Sequence, residues 1–195
     1  INLASNCKVY RNGVATYDFN PSMLLDFYGT VTFADADGQN QYRTVNITEY
    51  ETTVVDYVNT ATKVVLAKEG MPIFYGEASS DRLALLFDTS GNRLDWSSLT
   101  ENDVLSTKIV QGGNLTVYIS TLVRETVEGQ IAEIDGNMVK INDSAYKTRD
   151  GIQLFLGKEG VFYLDILGRI VSFSLAEPEG RTYGYVVAIA PPYGG

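Results

Sequence analysis

The 195-residue sequence contains no histidine and a single cysteine, Cys7. The first absence removes Ser-His-Asp and Cys-His catalysis, histidine general bases, and the usual histidine-containing zinc and iron sites. The second removes an internal disulfide framework, an all-cysteine zinc site and a cysteine-held iron–sulfur cluster. Basic residues are also scarce: 15 Lys and Arg stand against 24 Asp and Glu, a net charge of −9. A phosphate backbone needs a basic surface, and no Lys/Arg cluster is present, so nucleic acid is not an expected partner. The same charge disfavours anionic lipid, helps solubility and suits divalent cations. No apolar run reaches the roughly 18 residues that a membrane-spanning helix needs. The opening Ile1-Asn2-Leu3 lacks a basic start and an apolar h-region, which reads as a trimmed mature fragment or an intracellular protein.

What is present is a series of short runs rich in Val, Ile, Thr, Tyr and Phe, broken by Gly, Asn and Asp. Asn12-Gly13 between residues 8–11 and 14–17 predicts a hairpin, because Asn-Gly supplies the two positive φ angles of the tightest turn. Further strands are expected at 28–34, 42–48, 52–57, 63–66, 83–87, 104–110 and 115–122, and then at 127–134, 138–141, 160–165, 169–175 and 183–190. Residues 96–103 place serines ahead of acids and read as one helical turn. Residues 21–27 allow one short helix. No longer apolar period of 3.6 residues occurs, so the fold class is all-β.

The chain also repeats itself. Tyr28-Gly29-Thr30-Val31, Glu128-Gly129-Gln130-Ile131 and Tyr183-Gly184-Tyr185-Val186 open alike. Residues 99–105 and 156–162 each precede a strand, a turn and another strand. This plan predicts two small β-barrel modules of SH3-like or OB-like type, with a third repeat begun at Tyr183 and cut off. The expected division is residues 1–126, an N-terminal module with insertions, and residues 127–195, a C-terminal small barrel.

These segments resemble a known family. Residues 46–56 are similar to the "(V/T)-x-Y-(D/E)-T-x-V-V-D" stretch in the β-rich, non-enzymatic regions of clostridial and bacillar surface proteins bearing S-layer homology domains. Residues 99–105 resemble that family's "L-K-E-x-D-V-L", and 127–137 its "V-x-G-x-V-x-x-I-D" opening. Residues 157–170, ending in Phe162-Tyr163-Leu164-Asp165-Ile166-Leu167-Gly168-Arg169-Ile170, resemble "G-x-x-G-x-F-Y-L-D-x-x-G-K-I", and 183–187 resemble the start of a further unit. The resemblance spans most of residues 3–190. It implies a secreted protein of the cell wall or S-layer of a Gram-positive bacterium, non-catalytic, whose partners are other domains of the same surface protein. The helical anchoring domains of that family are not in this sequence.

Individual residues offer sharper readings beside plainer ones. Asp35 and Asp37, in Asp35-Ala36-Asp37-Gly38, begin like a calcium loop, but Arg43 stands where a closing acid would. The plainer reading is a polar hairpin tip with no cofactor. Trp96 could stack on a sugar, or plug a barrel end. The 13 tyrosines could line a glycan surface, or pack across strands. Glu49 with Glu51, or Glu125 with Glu128, could serve glycoside hydrolysis if a cleft separated them suitably. Lys63 and Lys140 are conceivable crosslink donors that strand alternation more simply turns to solvent. The sequence thus predicts a structural spacer. The alternatives are a module binding wall glycan or a surface protein, and a phage or virion structural domain.

Overall fold

The computed structural model describes residues 1–17, 20, 22, 27–36, 41–76 and 81–176, with no account of the side chains of residues 35 and 36. These residues form an all-β fold. The first sheet contains β1 (Asn2–Arg11), β2 (Val14–Thr16), β3 (Gly29–Ala36) and β4 (Gln41–Glu49). Its order is β2-β1-β4-β3, with β1 parallel to β4. The predicted Asn-Gly hairpin is present: Arg11 pairs with Val14, and Asn12 and Gly13 have φ of 48° and 85°. Val9, Val45 and Ile47 form this sheet's buried core.

The second sheet contains β5 (Glu51–Asn59), β6 (Val64–Ala67), β7 (Ile73–Phe74), β8 (Arg82–Phe87), β9 (Val104–Gly112) and β10 (Leu115–Val123), ordered β7-β6-β5-β9-β10-β8. The third contains β11 (Thr126–Asp135), β12 (Met138–Ile141), β13 (Ser144–Lys147), β14 (Glu159–Leu164) and β15 (Ile170–Leu175), ordered β13-β12-β11-β14-β15. Apart from the added edge strand β8, which lies parallel to β10, the two orders are the same.

The equivalence extends to register. Each unit's central strand changes partner at a bulge. β5 pairs with β9 through Val54 and with β6 from Val55 on, with a shift between Val55 and Tyr57. β11 pairs with β14 through Gln130 and with β12 from Ile131 on, with a shift between Ile131 and Glu133. A bulge bends its strand, so one strand can serve both halves of a small core. Backbone hydrogen bonds repeat as well. Val55 N–H to Asp103 O matches Ile131 N–H to Lys158 O, and Asn102 N–H to Val55 O matches Gly157 N–H to Ile131 O. Tyr75 N–H to Lys63 O matches Thr148 N–H to Asn137 O.

This alignment corrects the sequence reading in two places. The counterpart of β11 is β5, not the strand beginning near Tyr28, because β3 belongs to the first sheet and pairs with β4. Residues 99–105 and 156–162 do precede equivalent strands, but Leu105 aligns with Gly160 rather than Phe162. The slip of two preserves which side chains face inward, so the pattern alone could not detect it. The sheets are also open: among the described residues none closes into a hydrogen-bonded barrel, and the nearest approach is a single bridge from Thr148 to Ile170. Strand expected at 183–190 and most of the helix expected at 21–27 lie outside the described residues.

Asn102 has φ of 69° where its counterpart is Gly157 with φ of 77°, and its buried Oδ1 has no hydrogen-bond partner. Asn102→Gly is therefore expected to raise the unfolding free energy by up to about 1 kcal/mol, since it removes an unsatisfied acceptor at a left-handed position. Urea denaturation checks this, and a loss of stability contradicts the alignment.

The second unit's core is Val55, Val65, Leu86, Trp96, Leu99, Leu105 and Leu122, and the third's is Ile131, Val139, Ile141, Phe162, Leu164 and Ile170. A further cluster spans the two: Val54, Val104 and Val123 meet Val171, with Tyr163 against them. The Ser106 hydroxyl accepts the Ile166 N–H at 3.2 Å across the same boundary. Connectors are minimal, Tyr50 alone between β4 and β5 and Arg124-Glu125 between β10 and β11.

Candidate functional site

The short connectors force the ends of strands from all three sheets together. At their junction lies a cleft of about 680 Å³. Arg11, Tyr28 and Glu49 reach it from the first sheet, Glu51 and Thr107 from the second, and Arg149 and Arg169 from the third. Asn12 ties the first two sheets at its edge: its amide donates to Ile109 O at 2.9 Å and its Oδ1 accepts the Glu49 N–H at 2.9 Å.

The charged groups are held by specific pairs. Asp165, 1% exposed, and Arg169, 7% exposed, bracket the β14–β15 turn. Arg169 Nε and Nη2 donate to Asp165 Oδ2 at 2.8 and 2.5 Å, while Asp165 Oδ1 accepts the N–H groups of Leu167 and Arg169. The third nitrogen, Arg169 Nη1, is buried without a partner. The guanidinium carbon sits 4.0 Å above the centre of the Tyr28 ring, a cation–π contact. The Tyr28 hydroxyl donates to Asp150 at 2.5 Å, and that bond pushes its pKa up. Arg149 pairs with Glu69, and Arg11 lies 3.6 Å from Glu49.

The residues singled out by sequence are placed as follows. Trp96 is 8% exposed and stacked on Tyr75, with ring centroids 5.1 Å apart at 12°. It therefore packs the second unit's core, and its ring is not open to a sugar. The predicted helical turn is shorter than 96–103: it is a 3-10 turn over Trp96–Ser98, capped by Asp95, whose Oδ1 accepts the Ser97 N–H at 2.8 Å. Asp37 and the side chain of Asp35 lie outside the described residues. Among the described residues no three Cys, Asp or Glu side chains gather as a metal group would require. Glu49 and Glu51 do share a cleft, which the sequence did not foresee. Lys63 occupies the β5–β6 turn with φ of 57°.

The Asp95 cap gives a pH prediction. Hydrogen bonds from Ser97 hold its carboxyl below the ordinary Asp value. Its contribution to stability is then complete above the ordinary value and is lost as pH falls through the lower native one. An NMR titration of Asp95 is expected to show a midpoint below that of an unstructured Asp; a midpoint at or above it contradicts the cap.

No helix among the described residues is long and apolar enough to cross a membrane. In comparisons with protein-family models, curated proteins and solved structures, nothing matches this chain.

Proposed function

We propose that the chain is a non-catalytic spacer of a secreted, S-layer-associated protein of a bacterial cell envelope, built from small barrel-type β-modules in tandem. The observation that carries this reading is the duplication of one five-stranded plan, with its two copies joined by Arg124-Glu125 and sealed by Val54, Val104, Val123 and Val171. A two-residue connector leaves little freedom between units, and a shared apolar seam resists their separation. Those are the properties of an element that holds other domains at a set distance. A module boundary within a residue of the expected 126/127 is supported by the connector Arg124-Glu125, which ends where β11 begins at Thr126. The surface location is supported by the ordered resemblance to envelope proteins and by the net −9, which suits a soluble coat. The partners are then other domains of the same surface protein.

Fractionation of the source cells with an antibody to this chain tests the location. Recovery with wall or S-layer material is expected, and recovery only in the cytoplasm overturns the proposal.

A further inference from the structure

The junction cleft has chemistry that a spacer does not require. Three of the seven arginines among the described residues line it and none of the seven lysines does. Arginine presents a planar fork that matches a carboxylate in two parallel hydrogen bonds, which a lysine ammonium cannot do. Arg169 is more than nine-tenths buried, and Asp165 uses only two of its three nitrogens, leaving Nη1 without an acceptor. Arg11 enters the same cleft from the first sheet and Arg149 from the β13–β14 connection of the third unit. Glu49 and Glu51 add hydrogen-bond acceptors. A ligand with several negative charges would meet the two glutamates unfavourably, and a neutral ligand would bring no charge to compete with Glu49 and Glu69 for Arg11 and Arg149. A ligand with one carboxylate and many hydroxyl donors satisfies both sets. The cleft volume lies within the ordinary range of small-molecule sites.

We propose that this cleft binds a sugar acid, one hexuronate unit, with its carboxylate toward Arg11 and Arg149 and its hydroxyls donating to Glu49 and Glu51. The proposal goes beyond the spacer function and does not depend on it. The experiment is titration of the full chain with glucuronate, glucose and acetate, followed by amide chemical shifts. Glucuronate is expected to shift cleft amides saturably, while glucose does not and acetate binds more weakly. Arg11→Gln and Arg149→Gln are each expected to weaken glucuronate binding about tenfold. Arg11→Lys, which keeps the charge and loses the fork, should not restore it. If Arg149→Gln alters the overall spectrum, the half-exposed Arg11 decides alone. No saturable shift, equal binding of acetate and glucuronate, or unchanged affinity in Arg11→Gln each overturns the proposal. None of these results bears on the cell fractionation, so the two readings fail separately.

Discussion

Asp165→Ala is expected to lower the unfolding free energy by about 3–5 kcal/mol, the cost of stranding a buried charge without its partner. Arg169 stays buried in the variant, and its guanidinium loses both bonds to Asp165. The N–H groups of Leu167 and Arg169 lose their acceptor in the same step. Asp103 with Arg124 makes an instructive contrast. That pair is also two-pronged, at 2.7 and 2.8 Å, but the arginine side chain is 55% exposed and water can replace the carboxylate. Asp103→Ala should therefore cost clearly less than Asp165→Ala. Urea denaturation of both variants checks the order, and a loss of less than about 1 kcal/mol for Asp165→Ala contradicts the assigned burial.

Phe162→Ala is expected to cost about 3–5 kcal/mol, as for other fully buried aromatic side chains. Phe162 is the largest fully buried side chain among the described residues and holds β14 against Ile131, Ile141 and Ile170. Its loss should also be felt in the neighbouring unit. Tyr163 and Val171, on the strands that Phe162 anchors, pack against Val54, Val104 and Val123. Trp96, the one tryptophan, lies in that neighbouring core and reports on it by fluorescence. The Trp96 unfolding midpoint should move to lower urea in Phe162→Ala. An unmoved midpoint would mean that the valine seam carries no coupling.

The strands were legible because their inward and outward residues alternate and their ends carry turn residues. Asn12-Gly13 is the clearest case, a turn chemistry with one backbone solution. β7 and β13 were not legible. β7 has two residues, and β13 carries a single inward aromatic, Tyr146, so neither shows an apolar period. The repeat was visible, but its alignment was not. Side-chain pattern has a period of two, whereas the register is fixed by backbone bonds such as Val55 to Asp103 and Ile131 to Lys158. The cleft was hidden for a different reason. Arg11, Tyr28, Glu49, Arg149 and Arg169 are brought together by the connectors and share no local motif. The nearest signal was the Asp165 to Arg169 spacing in a turn flanked by apolar strands, which sets a charge pair where burial is expected. Trp96 was conspicuous by its rarity, and the fold uses it in packing.

A spacer requires the two repeated units to behave as one stiff body. Amide ¹⁵N relaxation of the full chain measures this directly. One overall rotational correlation time shared by β5–β10 and β11–β15 is expected, as the two-residue connector and the valine seam require. Two distinct correlation times, each near that of an isolated unit, would contradict a spacer function.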